Sequence, residues 1–181
     1  LLMQLIISSL PTLILGFILV DLIDSFLRTS AIIAITTIVF GVVLFAATFK
    51  TPKKMTVDEI TIKEALIIGL AQSIALIPGT SRSGITISTG LFLGLDNKTA
   101  SRFSFLMAIP TIGAIAAYQL VSVELNYLIQ YSQLNILGLF VSFIVAYITI
   151  DFFIRFINKI GFLPFVIYRI ILGLILLMAF I

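Results

Sequence analysis

Residues Ala75 to Leu95 read ALIPGTSRSGITISTGLFLGL, and the fold turns on how this stretch lies relative to a membrane. A helix that starts after Thr61 must stop at Pro78-Gly79, because proline and glycine end an apolar helix there. The hydroxyl-rich loop Thr80-Ser81-Arg82-Ser83-Gly84 follows, and then a second arm from Ile85 to Leu95. About eleven helical residues extend roughly 16 Å, against a hydrocarbon core of about 30 Å. The second arm is too short to cross. Residues from about 60 to 95 therefore form a re-entrant hairpin whose tip lies at membrane depth.

The rest of the 181-residue chain demands a bilayer as its solvent. Hydrophobic residues make up 61% of it and charged residues 10%, and the mean hydropathy is +1.27. A soluble domain is nearer 45–50% apolar and about 25% charged. Working outward from the hairpin, Leu1 to Val20 is an apolar span with Pro11 as a kink point, followed by an amphipathic stretch, Asp21 to Ser30. Ala31 to Phe49 is the second span, and Lys50 to Glu59 is an aqueous loop. Thr61 and Glu64 have the spacing of a capping box for the first arm. Asp96 or Asn97 caps a long helix reaching Val121, with Pro110 in its middle. Ser122 to Asn135 is a polar connection, and Ile136 to Phe156 and Phe162 to Ile181 are the last spans. The expectation is an all-α polytopic bundle, one membrane domain over 1–181, with about five full spans beside the hairpin.

Cation placement orients it. Lys50, Lys53 and Lys54 put their loop in the cytoplasm, as do Arg155 and Lys159, whereas Ser122 to Asn135 has neither Lys nor Arg. Lys98 and Arg102 fit a hairpin that returns to the side it left. The net charge of +3 includes no basic tract for nucleic acid. Without cysteine there is no thiolate chemistry, and without histidine no imidazole base, nucleophile or ligand. Tryptophan is absent too, so an interfacial belt rests on tyrosines such as Tyr118, Tyr127 and Tyr131. Opening on Leu1 inside an apolar run, the chain reads as the continuation of a longer one.

Arg82 is the chemical centre of this reading. An arginine at membrane depth costs at least about 2.5 kcal/mol without a partner, and no Asp or Glu occurs between Glu64 and Asp96. Around it stand the hydroxyls of Thr80, Ser81, Ser83, Thr86 and Ser88, with Gly79 and Gly84 letting backbone N–H groups turn inward. A guanidinium fork, hydroxyl donors and a helix N-terminus converging on one point make a cradle for a phosphoryl group. Gln72, about two turns before the loop, either bonds across the bundle or lines this pocket. Arg169, in the last span, either snorkels to the cytoplasmic face or joins the pocket. Asp151 and Arg155 have i,i+4 spacing for a surface pair, and Gly90 and Gly94 form a GxxxG suited to close packing.

The same residues carry a family resemblance. Ala65 to Gln72 (ALIIGLAQ), Ala75 to Gly84 with Thr86, Phe103 to Leu106 with Pro110, and Phe165 to Arg169 resemble the bacterial undecaprenyl-diphosphate phosphatases of the bacitracin-resistance type. The resemblance implies a protein of the bacterial cell membrane that hydrolyses undecaprenyl diphosphate to the monophosphate and phosphate. That reaction recycles the lipid carrier for peptidoglycan and so bears on cell-wall synthesis, cell shape and bacitracin resistance. It also implies two re-entrant loops related by an inverted repeat and an active site opening to the outer face. Arg82 and Ser81 are then the candidate catalytic residues, and Ser83, Gly84, Thr86, Thr80, Gly79 and Gln72 the candidate substrate-binding ones. The family's other signature carries glutamates, serines and a histidine. It would precede Leu1, and with it the ligands for an expected divalent cation, magnesium or calcium. The expectation is that these 181 residues clamp the substrate but, alone, bind it poorly and do not turn it over. Expected partners are a polyprenyl diphosphate lipid and the membrane, with a homodimer left open and no nucleic acid. The competing function is a polyprenyl-phosphate transporter or flippase, since broken helices also hold anions in secondary carriers.

Overall fold

The computed structural model describes residues 1–53, 56–122 and 132–180. Seven α-helices run through them: α1 (Leu2–Leu22), α2 (Ser30–Ala47), α3 (Ile62–Ser73), α4 (Arg82–Phe92), α5 (Asn97–Ser122), α6 (Ser132–Ile160) and α7 (Leu163–Phe180). Five of these, α1, α2, α5, α6 and α7, are long and apolar enough to cross a membrane. The architecture is the expected all-α membrane bundle, and α3 and α4 form the arms of the broken hairpin. Most of the connection from Ser122 to Asn135, with Tyr127 and Tyr131, lies outside the described residues, as does Lys54.

Local chemistry fixes the helix starts. The Thr61 hydroxyl accepts from the Glu64 N–H at 3.3 Å while the Glu64 carboxylate accepts from the Thr61 N–H at 2.8 Å, closing the expected capping box. Thr29 caps α2 through Ile32 N–H at 3.3 Å, and Asp96 caps α5 through Thr99 N–H at 2.8 Å. Pro11 and Pro110 lie inside α1 and α5 without ending either helix. A five-residue π-helical turn, Ile23–Leu27, follows α1 where the amphipathic stretch was expected.

The two arms return to one face. Gly94, at φ +91°, closes α4 with its N–H on the Leu91 carbonyl at 2.9 Å and the Leu95 N–H on the Gly90 carbonyl at 3.0 Å. The Gly94 carbonyl then accepts from Lys53 N–H at 2.7 Å, tying the end of the hairpin to the lysine loop. At the same face the Gln4 amide donates to the Ile60 carbonyl, just before the hairpin begins. The GxxxG pair therefore divides: Gly90 packs against Ala100 of α5, whereas Gly94 is the turn.

Small residues set the closest helix contacts. A Cβ on Gly69 of α3 would lie 2.2 Å from the Ser8 carbonyl of α1, so these backbones touch. A Cβ on Gly173 of α7 would lie 3.0 Å from the Ala34 carbonyl of α2. The apolar core gathers near the lysine loop, around Ile60, Ile68, Leu91, Phe103, Met107 and Val166. Helix α6 joins it through Ile157 and through Phe153, whose ring meets Phe105 at 5.3 Å and Phe165 at 5.1 Å.

Candidate functional site

The first arm tightens into one 3₁₀ turn, Ile74–Leu76, and then breaks at Pro78-Gly79. Two elements hold the broken backbone. From α2, the Thr36 hydroxyl donates to the Pro78 carbonyl at 2.6 Å and Thr37 to the Gly79 carbonyl at 3.3 Å. From α7, Arg169 Nη2 donates to the carbonyls of Gly79 at 2.8 Å and Thr80 at 3.0 Å. Gly79 has φ +86°, and a Cβ there would lie 2.2 Å from Thr36 Oγ1 and 2.4 Å from the Ile33 carbonyl. Only glycine lets the tip seat against α2 this closely.

The second arm starts at Arg82, three residues before the Ile85 expected from sequence. Ser81 is the reason. It takes φ +68°, unusual for a side chain that is not glycine, and caps the helix by accepting from Gly84 N–H at 3.2 Å. Arg82 and Ser83 thereby fall in the first turn, where N–H groups have no intrahelical acceptor. A positive helix end and a guanidinium thus stand together at the tip, and Ser81, Arg82 and Ser83 are each half-buried.

Arg169 joins them, which the sequence left evenly balanced against snorkelling. Its Cβ would lie 3.2 Å from one on Gly41, whereas its guanidinium reaches Gly79, which packs at Ile33 and Thr36 of α2. Along α2 that is about 7–12 Å farther from the lysine loop than Gly41. The side chain extends away from the lysine loop, opposite to snorkelling toward that face. A Cβ on Gly84 would lie 3.7 Å from Arg169 Nη1 and 3.1 Å from Ser81 Oγ. One small space is therefore shared by the α4 N-terminus, Ser81 and the second guanidinium.

Polar groups of the loop and of Arg169 lack partners. Arg82 Nη1, Arg169 Nε and Thr80 Oγ1 are buried with no hydrogen bond among the described residues. Helices α2, α4 and α7, and the loop itself, carry no Asp or Glu. Two cations beside a helix N-terminus repel one another, and buried donors rarely stay unmade. An anion with several acceptor oxygens satisfies both conditions.

Other candidates are placed elsewhere. Thr86 donates to the Arg82 carbonyl at 2.9 Å and pairs with Ser104 of α5 at 2.7 Å, and Ser88 donates to the Gly84 carbonyl at 2.7 Å. These two hydroxyls bind α4 to itself and to α5. Gln72 is fully buried, its Nε2 donating to Thr12 at 3.0 Å and Thr111 at 3.4 Å, so its amide bonds across α1, α3 and α5. A cavity of about 610 Å³ beside this seam is lined by Leu13, Phe17, Leu76, Ile115 and Tyr118, with Thr12, Thr111 and Arg28. Neither Gln72 nor the loop from Pro78 to Gly84 is among its lining residues. Asp151 and Arg155 form the expected exposed pair at 2.9 Å. Among the described residues no three His, Cys, Asp or Glu gather to hold a metal. Magnesium or calcium therefore finds no donor set in this loop.

Arg169 was already a candidate from its sequence, whereas Thr36 and Thr37 were not, and both positions carry a chemical signal. Thr36-Thr37 is a hydroxyl pair inside an apolar span, and Arg169 is a cation inside another. Both are costly in hydrocarbon unless they face protein.

Comparison with known proteins adds an independent line. A family model described as "Bacitracin resistance protein BacA" matches residues 1–175. The chain is 47% identical over 169 residues to "Undecaprenyl-diphosphatase 1" of Pseudoalteromonas translucida, covering 93% of the chain and 63% of that relative. It is 45% identical to the "Undecaprenyl-diphosphatase" of Marinobacter nauticus, covering 93% and 64% respectively. A third, from Teredinibacter turnerae and of the same name, is 47% identical over 176 residues, 97% of the chain and 66% of the relative. The chain thus spans just under two thirds of the length of these proteins.

Proposed function

The chain belongs to the bacitracin-resistance protein BacA family, and on that premise we propose that it holds the diphosphate in the hydrolysis of undecaprenyl diphosphate to undecaprenyl phosphate and orthophosphate. Its five spans and its bacterial relatives make it a multi-pass protein of the bacterial cell membrane. The observation that carries the proposal is Arg82: a buried, unpartnered guanidinium nitrogen in the first turn of a broken helix, with no acid on the surrounding elements. A membrane anion with phosphoryl oxygens is the ligand such a site is short of.

In this reading water attacks the terminal phosphorus and the bridging P–O bond breaks. The prenyl monophosphate leaves, and charge builds on the phosphoryl oxygens as it does so. Arg82 and the first-turn N–H groups of α4 are donors already in place for that charge, so little reorganisation is needed. Ser81 shapes the turn by taking the Gly84 N–H, Ser83 and Thr80 bring hydroxyl donors to the same oxygens, and Gly84 and Gly79 let the backbone come close to them. Thr86 supports the arm from behind. Among the described residues the loop and helices α2, α4 and α7 carry no acid or imidazole to activate water, so that step is left to groups outside the loop.

Phosphate release and lipid binding should be measured side by side on undecaprenyl diphosphate in detergent micelles. Co-expression with the uncovered portion of the Pseudoalteromonas translucida relative should yield phosphate release. Arg82→Ala should lower that release by about 100-fold or more, and Arg82→Lys should restore only part, because lysine lacks the planar fork. Release that survives Arg82→Ala would sink the proposal.

A further inference from the structure

The proposed clamp leaves a second cation unexplained. Arg169 lies on α7, nearly ninety residues from the loop in sequence, yet it donates two bonds to the loop backbone. Those bonds use Nη2 alone. Nε is buried and unpartnered, and Nη1 points to the space beside Gly84. Were Arg169 only a prop for the carbonyls, its remaining charge would sit against the positive end of α4, with no acid on α2, α4 or α7 to offset it. A neutral amide donor would have held the carbonyls without that repulsion. The arrangement makes sense when a polyanion lies against this helix end, where Arg169 Nη1 stands beside Gly84 and Arg82 opens the first turn.

We propose that Arg169 is the second phosphoryl-binding cation and the residue that makes this site select a diphosphate over a monophosphate. The inference rests on the phosphate reading of the loop given above. Arg82 and the α4 N-terminus take one phosphoryl group, and Arg169 Nη1 takes the other. The carbonyls of Gly79 and Thr80 fix the guanidinium plane, so that the free edge is presented without loss of side-chain freedom on binding. A monophosphate can satisfy one cation fully but cannot span both. Selectivity then follows from the separation of the two charges and not from the size of the cavity.

The preference can be read by titrating the purified protein in micelles with farnesyl diphosphate and with farnesyl monophosphate, by calorimetry. The parent should favour the diphosphate by about tenfold or more, the scale expected for added charge-assisted hydrogen bonds. Arg169→Gln, which can still donate to a loop carbonyl, should bring the two affinities within about threefold of each other. Arg169→Lys should fall between, since an ammonium keeps the charge and loses the fork. Equal weakening toward both ligands would mean a purely structural role and overturns the inference, as does an unchanged preference. If Arg169→Gln elutes as aggregate, Arg169→Lys decides: its preference must drop by about threefold or the inference fails. A parent that binds neither ligand overturns the phosphate reading itself. Arg82-dependent binding with an Arg169-independent preference overturns only the role given to Arg169.

Discussion

Two glycines at the tip carry opposite expectations. Gly79 has both a positive φ and backbone neighbours nearer than any Cβ can approach. Gly79→Ala should therefore cost well over about 1 kcal/mol and push the loop off α2, lowering thermal stability and ligand affinity together. Gly84 is inside α4, where alanine is the better helix former by about 0.5–1 kcal/mol. An added methyl there meets Ser81 Oγ at 3.1 Å and sits 3.7 Å from Arg169 Nη1, in the space assigned to the anion. Gly84→Ala should keep or raise the melting temperature while weakening diphosphate binding about tenfold or more. A variant with unchanged affinity would move the anion elsewhere. Arg82 and Gly79 were legible in sequence because an isolated charge and a Pro-Gly break are local signals. Arg169 stayed open between two readings, since helical periodicity places a Cα but does not say which way seven further side-chain atoms extend.

At the scale of elements, the hairpin was readable from length alone, and its start from the Thr61 and Glu64 box. The beginning of α4 was not, because the helix gains a turn through the cap made by Ser81 in a backbone conformation that serine seldom adopts. The same limit applies to the crossing of α1 and α3. Gly69 looked like one more small residue in a membrane helix, yet the Ser8 carbonyl would lie 2.2 Å from its Cβ. Gly69→Ala should force the two backbones apart. It would also break the hydroxyl seam in which Thr12 donates to the Gly69 carbonyl at 3.4 Å and Gln72 reaches Thr12 and Thr111. The expected result is loss of the monodisperse peak in detergent, or a melting temperature lower by several degrees. Gly138→Ala is the control, with nothing within 4 Å of its Cβ, and should behave as the parent. Equal behaviour of the two would show that α1 and α3 do not cross where the glycine lies.

For the whole molecule, the question is which helix ends share a side of the membrane. Lys53 N–H bonds the Gly94 carbonyl, so the end of α4 and the loop after α2 lie together. The start of α2 lies at the other end of an 18-residue helix, about 27 Å away. The lysines assign the first face to the cytoplasm. The chain has no cysteine, so each single introduced thiol reports alone. Lys53→Cys and Lys98→Cys should both resist a membrane-impermeant maleimide added to intact cells and react once the cells are opened. Thr29→Cys should react in intact cells. Opposite labelling of positions 53 and 98 would mean that the second arm crosses after all, and Arg82 would then need another explanation. Shared labelling of 53 and 98 with inverted sidedness would keep the hairpin and reverse the orientation drawn from the lysines. The loop tip lies against the first half of α2, so with the lysine loop in the cytoplasm Arg82 and Arg169 are offered to the outer leaflet and with the inverted orientation to the inner one; sidedness therefore decides which leaflet delivers the substrate.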